Sequence, residues 1–398
     1  MSEKICISGL GIVTAIGRNC EETLQSLINE KSGIGKSRFL QTNHNDIPMA
    51  EFPLSNEEMM NYLGIPTDEV ITRASLLGIY AAKEAIKNSG ILENRTYRVG
   101  FISGTTVGGM DKSELFYNDF LENDTKTDYI SAHSCGACTE KIASYFGEFD
   151  FITTISTACS SAANAVLLGA NLIKTGVLDA VIVGGTECLT KFHLNGFNTL
   201  MILDKNPCRP FDATRAGLTL GEGAAYIVIE SEELIKRRGK QPLCYLSGYG
   251  NSCDAYHQTA SSPEGKGAIL AMSKALAMSG LKPSEIDYIN AHGTGTSNND
   301  ESEGRAIETV FADRIPMVSS TKSFTGHTTS AAGGVESVIS ILCLQNGIVP
   351  ANLNFNEPMK EISFKPVEKT QRGVALNHIL SNSFGFGGNN TSLIFSKE

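Results

Sequence analysis

The sequence has little positive charge and no long apolar stretch. Its 33 lysines and arginines face 43 aspartates and glutamates, for a net charge of −10. That balance argues against a nucleic-acid partner, which needs a basic face. It also requires any acidic protein partner to dock on a local basic patch. No apolar run reaches the ~18 residues that a membrane span needs. The opening MSEKICISGLGIVTAIG lacks a basic segment followed by a cleavage site, so it reads as a first strand and turn rather than a signal peptide. Nucleotide motifs are incomplete. Gly9-Leu10-Gly11 begins a dinucleotide fingerprint, but its third glycine falls at Thr14. Gly385-Phe386-Gly387-Gly388-Asn389-Asn390 lacks the Lys-Ser/Thr of a phosphate loop. Cys135 and Cys138, behind His133, have no second CxxC or HxxxH to complete a zinc site. They read as thiols packed on a Gly/Ala-rich helix, and no metal is expected. Ten scattered cysteines in 398 residues make no disulfide scaffold and suit a reducing cytoplasm.

What is present is an ordinary globular composition, 41% apolar and 19% charged. Buried strands alternate with helical patterns, which indicates an α/β fold. Lys4 to Gly9, Val99 to Gly104, Phe151 to Ile155, Ala180 to Gly185 and Ala224 to Glu230 read as strands. Ile71 to Asn88 reads as an amphipathic helix, Tyr117 to Asp128 as an exposed polar excursion, and Asn195 to Gly223 as a long irregular segment. Past the basic stretch ending at Lys240 the pattern begins again, with Leu243 to Gly250 echoing the opening strand. Later a strand leads through a small-residue turn into the helix Val335 to Leu344, the same order as around Cys159. Two duplicated α/β halves are expected, residues 1–240 and 241–398.

Cys159 stands between the strand Phe151 to Ile155 and the helical run from Ala162. Unpaired N–H groups and the helix macrodipole there favour a thiolate, so a lowered thiol pKa is expected. A lone cysteine in such a place is more often a packed core thiol. Three further strand ends carry polar or reactive residues between glycines: Asn290 to Thr296 with His292, Lys322 to His327, and Asn382 to Asn390. Sites gather at the carboxyl ends of strands in α/β folds. One cysteine with two histidines in like contexts suits covalent acyl chemistry.

With these motifs in order, TACSS, NAHGTGT, STKSFTGHTTSAAGGVE and NSFGFGGNN, the whole chain resembles the elongating β-ketoacyl-acyl carrier protein synthases of the thiolase-like superfamily. The resemblance implies a five-layered αβαβα fold and decarboxylative condensation with a malonyl thioester on acyl carrier protein. By the same resemblance Cys159 is the nucleophile. His292 and His327 bind the malonyl thioester carbonyl, and Lys322 orients them. Glu336 supports Lys322. Phe386, with Cys159, supplies an oxyanion N–H and gates the acyl pocket beside Phe384. Thr294 and Thr296 hold the pantetheine arm. No cofactor is implied beyond that arm. The partners implied are acyl carrier protein and a second subunit, identical or related.

Several positions depart from the family pattern. Gly147-Glu148-Phe149-Asp150 replaces a Gly-x-x-Gly-Pro-Asn turn, and the CGAC stretch precedes it. Ser161-Ala162-Ala163 replaces a Gly-containing sequence, Ala216 a common Asp and Ser330 a common Gly. The helix at Arg73 carries fewer basic residues than relatives use for docking. These differences fit a specialised polyene or polyketide-type pathway as readily as housekeeping fatty acid synthesis. The competing reading is a non-catalytic chain-length-factor-like subunit, which would lack the reactive cysteine. A degradative thiolase would carry a second cysteine where Gly-Phe-Gly-Gly stands, and an initiating synthase an Asn at His327.

Overall fold

The computed structural model describes residues 4–123 and 125–397. Its ten-stranded main sheet is two five-strand arrays joined through their first strands. The first array comprises β1 (Ile5–Thr14), β2 (Val99–Gly104), β3 (Phe151–Ile155), β4 (Ala180–Glu187) and β5 (Gly223–Ser231). The second comprises β6 (Cys244–Cys253), β7 (Tyr288–Asn290), β8 (Met317–Ser319), β9 (His378–Gly385) and β10 (Asn389–Ser396). Their orders are β1-β5-β4-β2-β3 and β6-β10-β9-β7-β8. Counted from the first strand of each, the two orders are the same. Ile5, Cys6 and Ile7 of β1 pair antiparallel with Leu246, Tyr245 and Cys244 of β6. The sheet is therefore continuous across the middle.

Helices cover both arrays. α1 (Arg73–Ser89) packs on β1, β4 and β5, with α2 (Cys135–Phe146) beside it. α3 (Ser161–Lys174) and α6 (Ala332–Asn346) touch each other and strands of both arrays, forming the middle layer. α4 (Lys266–Ser279) covers β6 and β10, with α5 (Ser297–Val310) against it. This is the thiolase-like αβαβα sandwich. The repeat reaches atomic detail. A methyl at Gly9 or Gly11 would strike the carbonyl oxygens of Ala85 and Ala81 on α1. A methyl at Gly248 or Gly250 would strike those of Ala275 and Ala271 on α4. The glycines that failed as a nucleotide motif let a strand and a helix approach closely.

Two stretches differ from expectation. Met110–Asn123 forms a helix that takes in the first part of the exposed polar excursion read over Tyr117 to Asp128. Its apolar Leu115, Tyr117 and Leu121 face outward, so no core-facing stripe marked it. The helix Lys191–Thr199 occupies the start of the segment expected to be irregular. Arg73 is buried against Glu222, with Nη2 2.5 Å from Oε1, and presents no charge for docking.

Candidate active site at the junction of the two arrays

Between β3 and α3 the chain makes a tight turn held by its own hydroxyls. Ser161 Oγ accepts from the Thr157 N–H at 2.8 Å and donates to Ala158 O at 2.6 Å. Ala158 adopts φ +50°, a left-handed conformation that side chains resist. The strain presents Cys159 at the head of α3, where it is 6% exposed. The expected low thiol pKa is not what this geometry gives. Burial pushes the Cys159 thiol up to about 11, against the opposing pull of Lys322 and the Phe386 N–H. Desolvation outweighs the helix terminus because the thiol itself is buried.

The second array brings the histidines over this thiol. His327 Nε2 lies 3.1 Å from Cys159 Sγ. The rings of His292 and His327 stand edge to face, 5.2 Å between centroids. Burial, then the Lys322 charge, hold both imidazoles well below the ordinary histidine range, so both are neutral near pH 7. Lys322 Nζ has three acceptors: His292 O at 2.6 Å, His292 Nδ1 at 3.2 Å, and Glu336 Oε1. An ammonium has three hydrogens, so each bond is filled. His292 Nδ1 is then an acceptor and its proton sits on Nε2. Lys322 touches His292 but has no bond to His327, narrower than the pairwise orienting role expected. His327 Nδ1 is buried without a partner, which leaves either tautomer open to it. Glu336 is raised to about 7 by burial, with Lys322 pulling the other way.

Phe386 follows β9, and its backbone N–H favours the Cys159 thiolate. Its ring stacks on Phe197 with centroids 6.0 Å apart. Phe384 is buried and packs on His292 at 6.0 Å. Thr294 and Thr296 join hydroxyls at 2.9 Å. All of these line one cavity of about 240 Å³ together with Cys159, His292 and His327. Lys322 and Glu336 lie behind its wall.

Sequence reasoning missed the residues that hold this wall. Glu303, buried, accepts from the His292 and Gly293 N–H groups at 2.9 and 2.7 Å. Asp300 accepts from the Phe211 and Gly295 N–H groups. Glu187 gathers Thr105, Thr106, Thr329 and Ser330 beneath the site. Acidic residues after a Gly-rich turn were the available signal for Glu303 and Asp300. Phe197 sat in the segment expected to be irregular, without a motif.

Among the described residues, Cys159, His292 and His327 form the group whose ligand-type atoms cluster closely enough for a metal, within 4.8 Å. A Lys322 ammonium 3.2 Å behind His292 suits a cation poorly, because metal-bound histidines hand their other nitrogen to carboxylates or carbonyls. Cys135 and Cys138 lie on the first turns of α2 outside any such group. No helix among the described residues is long and apolar enough to cross a membrane.

Comparison with known proteins gives the family of the chain. Residues 2–234 match the Beta-ketoacyl synthase N-terminal domain, and residues 243–356 match the C-terminal domain. The chain is 31% identical to a 3-oxoacyl-[acyl-carrier-protein] synthase 2 of Staphylococcus aureus, over 100% of this chain and 99% of that one. Among solved structures it resembles a ketosynthase in complex with its chain length factor from Xenorhabdus doucetiae. That match has a TM-score of 0.87 and 31% identity, over 100% of this chain and 98% of that one. The ishigamide ketosynthase/chain length factor is similar at a TM-score of 0.92 and 27% identity, with both chains fully covered. By matched domains, full-length relatives and fold, the chain belongs to the β-ketoacyl synthase family.

Proposed function

We propose that the protein is an acyltransferase that condenses a Cys159-bound acyl group with malonyl-acyl carrier protein. The observation that carries this is one cavity holding a thiol, two neutral imidazoles and a backbone N–H donor. In the first step Cys159 Sγ attacks the thioester carbonyl of an acyl carrier. Its proton passes to His327 Nε2, 3.1 Å away, and on to the departing pantetheine sulfur. The Phe386 and Cys159 N–H groups stabilise the tetrahedral oxyanion. In the second step the malonyl thioester oxygen sits between the two imidazole Nε2–H groups. The carboxylate leaves as CO₂, and its bonding electrons form an enolate held by those donors. The enolate carbon then attacks the Cys159 acyl carbonyl, the C–S bond breaks with its electron pair on Cys159 Sγ, a proton from solvent restores the thiol, and a β-ketoacyl carrier departs. His327 fits both steps because its unpartnered Nδ1 lets it serve first as base and then as donor.

Lys322 acts as a positioning group that fixes the His292 tautomer, and Glu336 neutralises it. Thr294 and Thr296, on the cavity wall, take the pantetheine arm. Phe386, stacked on Phe197, is the gate to the acyl pocket, with Phe384 behind it. Residues 1–240 then supply the nucleophile and 241–398 the decarboxylating donors, a division that the matched strand orders favour. The reaction uses no cofactor beyond the carrier's phosphopantetheine. Ten unpaired thiols favour a cytoplasmic setting. A dimer, with an identical or related subunit, is supported by β3. That strand is one end of the sheet, with Ile152 41% exposed on an edge that has no partner strand among the described residues. A non-catalytic chain-length-factor-like role would require none of the thiol, His and Lys groups assembled here.

The test is intact-mass spectrometry after incubation with carrier proteins bearing different acyl chains. A mass increment on the Cys159 peptide is expected, and its size reads the preferred chain. Cys159→Ala is expected to abolish condensation and keep malonyl decarboxylation. Chain extension unaffected by this change would overturn the reading.

A further inference from the structure

Behind the nucleophile turn lies a cluster of side-chain amides that the condensation chemistry does not use. Asn164 comes from α3, Asn251 from β6, and Asn389 and Thr391 from β10. Asn389 Oδ1 accepts from Ser160 Oγ at 3.1 Å, Asn164 Nδ2 at 3.0 Å and Asn251 Nδ2 at 2.9 Å. Asn164 Nδ2 reaches Thr157 Oγ1 at 2.9 Å, and Thr391 Oγ1 donates to Asn164 Oδ1 at 2.7 Å. Thr157 and Ser160 flank Ala158 and Cys159 in the strained turn. One carbonyl oxygen thus gathers donors from the turn, the middle-layer helix and the second array.

The position of Asn389 gives this a purpose. It lies three residues after Phe386, whose N–H pulls on the Cys159 thiol and which lines the same cavity as Cys159. Gly387 and Gly388 lie between, at φ +79° and +77°. Neither has a side chain to fix the loop, and both have wide conformational freedom. The loop is also held from outside, by the Gly387 N–H on Gln258 O at 2.8 Å and the Asp254 N–H on Gly388 O at 3.2 Å, while its inner side closes on the nucleophile turn. A methyl at Gly385 would lie 3.0 Å from Thr157 O and 3.2 Å from Cys159 N. The two N–H groups of the oxyanion hole come from different arrays, so their spacing depends on these anchors.

We propose that Asn389, braced by Asn251 and Asn164, is a positioning residue that sets the Phe386 N–H against Cys159 for acyl transfer. This rests on the condensing-enzyme reading above. Asn389 touches neither His292, His327 nor Lys322, so its removal separates the two half-reactions. Asn389→Leu keeps the side-chain volume and removes the acceptor. Acylation of Cys159 by an acyl carrier protein, followed by intact mass in a single turnover, is expected to slow by roughly tenfold to a hundredfold, the effect of misplacing one oxyanion donor. Malonyl-carrier decarboxylation is expected to stay within about threefold, since its donors are untouched. Asn251→Leu should slow acylation less. The double variant should be no worse than Asn389→Leu alone, because the two act through one network. Equal losses in both half-reactions, additive losses in the double variant, or unchanged acylation would each overturn the proposal. Cys159→Ala runs alongside. If that variant still condenses, the underlying reading fails. If it is inactive while Asn389→Leu acylates normally, only the positioning role fails.

Discussion

The state of Cys159 before acylation is open to direct measurement. Burial lifts its thiol from the ordinary 9.0 to about 11. At pH 8 the thiolate fraction is then about 10⁻³, against about 10⁻¹ for an unshifted thiol, a difference of roughly a hundredfold. Alkylation by iodoacetamide at Cys159 should therefore be slow at pH 8 and climb about tenfold per pH unit through pH 10, since only the thiolate reacts. Peptide mapping gives the rate at Cys159, with the exposed Cys253 as a reference in the same sample. Lys322→Met removes the largest influence opposing burial. Its alkylation curve should move to higher pH, and the rate at pH 9 should fall. A plateau reached below pH 8 would refute the argument. It would mean a preformed thiolate, with the helix terminus dominating burial after all. The predicted curve also bears on mechanism: a thiol this weakly acidic must lose its proton to His327 as the C–S bond forms.

Three further outcomes follow from the packing. Lys322→Met leaves Glu336 buried without its cation, at a cost of about 3–5 kcal/mol near pH 8. Glu336 is raised from 4.5 to about 7 in the fold and rises further without Lys322. Stability from such a group is present at low pH and lost as pH rises through its folded value, so the melting-temperature loss should be smaller at pH 5 than at pH 8. A loss that grows on acidification would contradict this. Gly385→Ala, with its methyl 3.2 Å from Cys159 N, should slow acylation by roughly tenfold or more without unfolding, checked by single-turnover mass and circular dichroism. Wild-type acylation would rule out the close approach. Ile152→Lys adds charge to the open sheet edge and should give a monomer by light scattering if β3 forms the subunit contact. An unchanged mass would remove that strand from the interface.

Much of the site was legible in the sequence because its reactive groups sit on short glycine-bounded turns after buried strands. Cys159, His292, Lys322 and His327 all lie there. The duplication was legible for a related reason, since Gly9-Leu10-Gly11 and Gly248-Tyr249-Gly250 serve the same strand–helix contact. The charge state of Cys159 was not. A helix terminus is a local feature, whereas burial depends on the second array closing over it. Glu303 and Glu187 were hidden for the same reason, their partners being backbone groups and hydroxyls brought together only by the fold. The Met110–Asn123 helix escaped because its exposed Leu115, Tyr117 and Leu121 break any single apolar face.

The matched glycine contacts predict how the protein would look in a mutational scan. Gly9, Gly11, Gly248 and Gly250 line no cavity and carry no chemistry, yet a methyl at any of them meets a helix carbonyl. A saturation library scored for growth or activity would mark them as intolerant as Cys159. Scored for folded abundance, the two sets would part: the glycine variants would vanish, and the Cys159 variants would remain. The histidines and the nucleophile keep their spacing only while both strand–helix contacts stay closed. Four residues without side chains therefore limit how far the two halves can drift apart in sequence.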